Sequence, residues 1–379
     1  MTTDVKGASV IVVGAGASGL STAWWLAREG VDVLVLDRGI AGWEASGRNG
    51  GGCSHHFSPL FAEEQRLWPQ MDELLGYPTE FQPGRIRIAF DDRQMTLYGR
   101  AVTNARRQGF ESDVLDAPAL RAAVPLAGDG AIGGYHYRFG GHANPHRTVQ
   151  GYAWALQDHG GHLMQHTEVL GFDMANNRVR TVRTSRGDLA CDHLVLAAGP
   201  GTAKLARMIG VHVPMMAARA EMVVTEPLPL MPIGGVDGNG LYGRQTLRGN
   251  LAYGGGPHEW LQEGDDPPPR ASTPLALHLA ARLAVLFPRA AHARVIRSWA
   301  GIVENTPDGR PVIERLASPE NTVVVSLSSI GFGLSPATGH AVQQLVTDGA
   351  CSFADLSSLT LARFAGLEPE WAAMQGWTA

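Results

Sequence analysis

Lysine is almost missing from this chain: Lys6 and Lys204 are the only two, and arginine supplies the remaining positive charge. Cysteine is also scarce. Cys53, Cys191 and Cys351 stand far apart with no Cys-x-x-Cys pair, which excludes a zinc ribbon or a disulfide framework and suits a reducing compartment, the cytoplasm. No run of about 18 apolar residues occurs, so no membrane span is expected. The first apolar stretch, Val10 to Val13, runs straight into glycines without a charged leader, so no signal peptide is expected. A net charge of −5 leaves no basic footprint for nucleic acid. Repeats, low-complexity tracts, metal-ligand spacings and any Ser-His-Asp or paired-carboxylate constellation are absent as well.

What remains is an ordinary globular composition, 44% apolar and 18% charged, over 379 residues. That length suits two interleaved domains better than one core. Ser9 to Val13 is short, β-branched and continuous, as a buried parallel strand should be. Glycines follow, then a helix from Ser18 to Arg28 that Gly30 stops, then a second strand from Val31 to Leu36. This is a β-α-β unit.

Trp43 to His56 is a glycine- and serine-rich loop. Further on, the spacing predicts a helix over 62–75, a strand over 85–90 and a helix over 148–158. Glu168 to Leu189 suggests a polar meander of short strands. His193 to Ala197 reads as another buried parallel strand, and strands are expected at 221–225 and 250–254. Asp265 to Pro269 forms a break before a helix at 273–286. A late strand at 322–327 leads through a glycine turn into a helix from Pro336 to Thr347. Parallel-strand signals at the start, middle and end, with antiparallel ones between, predict an α/β fold. In it, a Rossmann-type domain is built from discontinuous segments around an inserted antiparallel sheet. The expected division is 1–60, 135–215 and 296–379 for the nucleotide-binding domain, with 61–134 and 216–295 for the substrate-binding domain.

The turn Gly14-Ala15-Gly16-Ala17-Ser18-Gly19 follows a strand and opens a helix. Gly14 permits the turn, Gly16 lets backbone approach a pyrophosphate, and Gly19 lets helix and strand pack closely. The helix N-terminus offers free N–H groups to that phosphate. Asp37 ends the second strand, where its carboxylate can take the adenosine ribose hydroxyls. It would repel a 2′-phosphate, although Arg38 is adjacent. No second glycine fingerprint exists for a separate nicotinamide nucleotide, and Ser46, Arg48, Asn49 and the Gly50-Gly51-Gly52 run offer a second lining for an extended cofactor. FAD is therefore expected.

Five blocks resemble the D-amino acid oxidase superfamily of flavoproteins, which includes glycine oxidase, sarcosine oxidase and the flavin subunits of proline and opine dehydrogenases. They are VVGAGASGLSTAWWLAREGVDVLVLDR with ASGRNGG (Val12 to Arg38, Ala45 to Gly51), GGHANP (Gly140 to Pro145), LVLAAGPGT (Leu194 to Thr202), SWAGIVENTPDGRPVI (Ser298 to Ile313) and SIGFGLSPATGHAVQQLVTDG (Ser329 to Gly349). The last two, in this order, are the most specific.

The resemblance implies that Gly14, Gly16, Ser18, Gly19, Asp37 and Arg38 hold the ADP half. Ser46, Arg48, Asn49, Gly50 and Gly51 would run along the pyrophosphate and flavin. Val169 would lend backbone to the adenine pocket, and Ala198 and Gly199 would pack beside the cofactor. Gly331, Phe332, Gly333 and Leu334 would approach the isoalloxazine. A helix N-terminus near Pro336 would face its carbonyl region. Covalent-flavin relatives carry a cysteine where Gly301 stands. The histidine-attachment motif is absent too, despite His55 and His56, so FAD is expected to be non-covalent. Cys53 reads as a small buried residue.

The implied reaction oxidises the C–N bond of an amino acid or secondary amine to the imine by hydride transfer to flavin N5. It needs a neutral amine and a held carboxylate. A bidentate guanidinium suits the carboxylate, and Arg48, Arg85, Arg219 and Arg244 are the candidates. Arg244 beside Tyr242 is preferred, and Arg219 resembles a structural arginine. Trp299, His142 and Glu304 are further candidates for facing flavin or substrate. The oxygen-activating lysine of some relatives is replaced by Ala252, which favours an electron acceptor other than oxygen. The alternatives are a flavin subunit that hands electrons to partner subunits, and a tailoring flavoenzyme acting on a non-amine substrate.

Overall fold

The structure is a computed structural model that describes residues 6–55, 57–261, 270–368 and 370–375. Its largest sheet runs in the order Val312–Arg315, Thr322–Ser326, Gly187–Leu196, Gly7–Val13, Val33–Leu36, His162–Met164. Gly7–Val13 lies at its centre, parallel to Gly187–Leu196 on one side and to Val33–Leu36 on the other. All four residues of Val33–Leu36 are buried, because helices and a second layer cover both faces, which is why these strands are unbroken apolar runs. On one face pack the helices Ala17–Arg28, Pro145–Asp158 and Gly331–Thr347. On the other packs the meander Val169–Ala175 and Arg178–Thr184.

The sequence expectation for 193–197 meets a longer strand with two roles. The first half of Gly187–Leu196 pairs antiparallel with the meander, and the second half pairs parallel with Gly7–Val13 and Thr322–Ser326.

Two further sheets complete the fold. One is wholly antiparallel, in the order Leu241–Gln245, Asn250–Trp260, Met216–Pro227, Val295–Asn305. The other joins Val236–Asp237, Gln82–Ala89, Gly133–His142 and Gly52–Cys53, with Ser112–Asp116 also paired to Gly133–His142. No helix among the described residues is long and apolar enough to cross a membrane.

Three local expectations are corrected. The loop 43–56 contains a turn of helix, Ala45–Arg48, and the strand Gly52–Cys53. The single helix expected over 62–75 is broken into Phe61–Leu67, a 3₁₀ turn Trp68–Gln70 and Met71–Leu75; Pro69, which lacks an N–H, sits at the break. The last helix begins at Gly331 rather than near Pro336. Pro336 is tolerated inside it because the Phe332 carbonyl, which would have accepted from residue 336, accepts from Ser335 Oγ at 2.7 Å instead. The Asp265 to Pro269 break lies outside the described residues.

Candidate active site

At the carboxyl end of the central parallel strands the chain turns sharply at Gly14, with φ +112°. A Cβ there would lie 2.3 Å from the Ala197 carbonyl oxygen, so no other residue fits the turn. A Cβ on Gly19 would come within 1.9 Å of the Gly14 oxygen, the close helix–strand approach expected for it. Gly16 caps the helix Ala17–Arg28, and its missing side chain would meet Ser46 Oγ at 2.9 Å. That hydroxyl accepts from Ala17 N at 2.9 Å. Asp37 accepts from Ala15 N and Gly39 N, both at 2.7 Å, and so fixes the glycine turn to the second strand.

These residues open onto a cavity of about 2040 Å³, room for a dinucleotide and a substrate together. Gly14, Gly16, Ser18, Asp37 and Arg38 line one end, with Val169 beside them. Ser46, Asn49, Ala198 and Gly199 line the cavity as well. Asn49 holds its own loop by donating to the Ala45 and Ser46 carbonyls and accepting from Gly51 N. Gly331 and Phe332 also line the cavity, and a Cβ on Gly331 would lie 3.6 Å from Ser18 Oγ. Starting the last helix at Gly331 places its positive end on this wall.

Among the lining that sequence reasoning missed are Met215 to Ala217, at the start of a sheet strand, and, nearer the C-terminus, Phe364 to Glu368 and Glu370 to Ala373. Neither carries a motif. The C-terminal stretch is pinned by Arg363 to Asp308 at 2.8 Å. A glycine cradle that any Cβ would fill, an acid at the second strand and a cavity of this length fit an extended dinucleotide cofactor.

Other expected cofactor residues stand behind the wall. Gly50 lies under the Tyr242 ring, where a Cβ would be 3.1 Å from Cδ2, and a Cβ on Gly51 would be 2.9 Å from Arg244 Nη1. Arg48 donates from Nη1 to the Ala300 carbonyl at 3.0 Å and from Nε to Trp43, and its guanidinium lies over the Trp43 ring. Trp299 returns the contact, donating from Nε1 to the Arg48 carbonyl at 2.8 Å. Gly301 abuts Arg48 and Ala45. Leu334 is wholly buried in the core, and Gly333 carries the His55 ring, 2.2 Å from where a Cβ would be.

The polar candidates separate clearly. Arg85 is saturated: it pairs with Asp237 and donates to the Tyr137 hydroxyl and the Gly141 and Gly243 carbonyls. Arg219 is held by Glu259 and the Arg270 carbonyl. His142 is 3% exposed under Gly234 and Gly235, and burial, with Arg85 and Arg244 behind it, holds the imidazole well below its ordinary range. It does not line the cavity.

Arg244 differs. Like His142 it does not line the cavity, but it is 8% exposed, its pKa is pushed down to about 10 by burial, and among the described residues it makes one bond, Nη1 to the Gly50 carbonyl at 2.9 Å. A buried guanidinium with donors to spare is costly unless something else takes them. Glu304 lines the cavity beside Gly199, and burial pushes its carboxyl above the ordinary range. Cys53 is buried and its thiol is pushed well up by burial, the inert state expected of it.

Fold and site together define a flavin-dependent oxidoreductase with a Rossmann-type cofactor domain. The chain belongs to the DAO family, FAD dependent oxidoreductase, which it matches over residues 9–345, and its cofactor is FAD. It is 30% identical over 359 residues to sarcosine oxidase subunit beta of Rhizobium meliloti (strain 1021), covering 90% of this chain and 85% of that one. It is 29% identical over 324 residues to glycine oxidase of Pseudomonas putida, covering 80% and 84%. In fold it is similar to L-proline dehydrogenase from P. horikoshii, with a TM-score of 0.88, 23% identity, and coverage of 95% of this chain and 98% of that one.

Proposed function

We propose that this chain oxidises the C–N bond of an amino acid or secondary amine to the imine, with a carboxylate on the substrate held by Arg244. The carrying observation is the buried Arg244 guanidinium, which has one protein acceptor and lies where the four-stranded sheet meets the Gly50-Gly51 loop. Tyr242, two residues earlier on the same strand, packs on the same loop and completes the clamp. The similarity to a sarcosine oxidase subunit and to a glycine oxidase supports an amine that bears a carboxylate.

FAD, held non-covalently, supplies the hydride acceptor. The protein's own part is to hold and desolvate. The glycine cradle, Asp37 and Asn49 hold the dinucleotide, and Ile302, Val303 and Glu304 bring the four-stranded sheet to the cavity wall. We assign 1–60, 135–215 and 296–379 to the cofactor domain and 61–134 and 216–295 to the substrate domain, with the strand Val295–Asn305 bridging them. The unpaired cysteines suit a cytoplasmic location.

A second reading, the flavin subunit of a heteromeric dehydrogenase, is supported by the similarity to a subunit called beta. Ala252, buried at the position where an oxygen-activating lysine would be expected, supports an acceptor other than oxygen for either reading. Comparison of kcat/KM for an amino acid and for the same amine lacking its carboxylate tests the proposal. Preference for the amino acid by tenfold or more supports it; equal values remove the Arg244 anchor.

A further inference from the structure

Glu64, on the helix Phe61–Leu67, has a carboxylate with no solvent exposure, and both of its oxygens are spent on one residue. Oε2 accepts from His55 N at 3.0 Å, and Oε1 accepts from His55 Nδ1 at 2.8 Å. A carboxylate held this way fixes the ring and keeps a proton on Nδ1, which leaves the Nε2 lone pair free in the neutral imidazole. The ring is 14% exposed.

The ring's position is set by an absent side chain. It lies on Gly333, 2.2 Å from where a Cβ would be, with the Gly52 carbonyl alongside. Gly331 and Phe332, immediately before Gly333, line the cavity, as do Ser46 and Asn49, which precede the Gly50–Gly52 run. His55 therefore stands against the first turn of the last helix, at Gly333, the residue that follows Phe332 of the cavity wall.

We propose that His55, oriented by Glu64, accepts the proton from the substrate's ammonium. This rests on the amine-oxidising reading above. An ammonium nitrogen has no lone pair with which to expel hydride from its neighbouring carbon. Proton transfer from that nitrogen to Nε2 gives the free amine and an imidazolium. FAD, when bound, would take the hydride that the free amine can then expel, the product being an iminium, and the imidazolium returns its proton to water. Buried Glu64 orients the ring, as the carboxylate does in other imidazole–carboxylate pairs.

On the same helix Glu63 binds Arg66 and His340. Cys53 is buried with its thiol pushed up, and Arg85 and Arg244 lie behind it.

Two measurements on the FAD-loaded protein decide the matter. In anaerobic single-turnover reduction by an amine across pH, His55→Gln is expected to slow flavin reduction by roughly 100-fold at pH 7, the ordinary worth of a placed acid–base group. It should converge on the wild-type rate above the substrate's own amine pKa, where no acceptor is needed. Glu64→Gln is expected to fall between the two. An unchanged rate in His55→Gln, or a loss of equal size at every pH, overturns the proposal. Nitrogen-15 NMR of the substrate-free protein is expected to find neutral His55 protonated at Nδ1, with that preference lost in Glu64→Gln; a proton on Nε2 overturns it. A wild-type protein that no amine reduces defeats the underlying reading instead, a distinguishable result.

Discussion

Arg244 and Gly50 are 194 residues apart in sequence and 2.9 Å apart in space, joined by a bond from the guanidinium to the glycine carbonyl. That bond ties the four-stranded sheet to the cofactor loop, and the proposed role of Arg244 assigns its remaining donors to a substrate carboxylate. Arg244→Met is expected to weaken carboxylate-bearing substrates by about 2–4 kcal/mol, the cost of stripping one partner from a buried charged pair. Steady-state KM values check this, and amines without a carboxylate should lose far less.

The same residue predicts a pH limit. Burial brings the Arg244 pKa down to about 10, so the cation persists at neutral pH and is lost as pH rises through that value. Binding of a non-reducible carboxylate inhibitor, followed by the flavin spectrum, is expected to be flat with respect to this group up to about pH 9 and to weaken towards pH 10 and beyond. Arg244→Lys and Arg244→Met should shift and abolish that limb respectively.

Gly16→Val is expected to abolish FAD retention. Its first added carbon would already press on Ser46 Oγ at 2.9 Å, and the rest would enter the pyrophosphate approach. The 450 to 280 nm absorbance ratio of the purified variant measures this, and a fully yellow Gly16→Val protein would refute the placement.

Asp237→Ala is expected to cost about 3–5 kcal/mol of stability, because Arg85 would stay buried without its carboxylate and an uncompensated buried charge is the costly outcome. Urea denaturation midpoints test it. Paired replacement of Arg85 and Asp237 by apolar residues should be milder than either single change.

Glu63 gives a stability prediction at acid pH. Burial would raise its carboxyl, but hydrogen bonds from Arg66 and His340 outweigh it and bring the pKa from an ordinary 4.5 to about 2. A folded pKa below the unfolded one means stabilisation present above about pH 4.5 and lost as pH falls towards 2. The stability gap between wild type and Glu63→Gln should therefore be widest near neutral pH and shrink through that window.

Much of the cofactor half was legible in the sequence, because short glycine motifs encode backbone geometry directly. Gly14, Gly16 and Gly19 each lack a Cβ that would strike a neighbouring atom, and such a requirement survives in one local string. Helix boundaries were less legible. The start at Gly331 was hidden by Pro336, whose usual meaning as a first-turn residue is overridden by the Ser335 hydroxyl. The polar partners were least legible. Arg85 and Arg244 look alike as isolated arginines, and only the fold shows Asp237 beside one and a lone carbonyl beside the other. The His55–Glu64 pair carried no motif either, since eight residues of no recurring pattern separate its members in the sequence.

The most direct test is the visible spectrum of the purified protein under anaerobic conditions, before and after addition of a panel of primary, secondary and D-amino acids. The account predicts flavin bands that bleach with a carboxylate-bearing amine, with the rate of recovery on admitting air sorting oxidase from dehydrogenase. Flavin bands that no amine bleaches would contradict the proposed reaction, and a colourless protein that FAD cannot reconstitute would contradict the cofactor site itself.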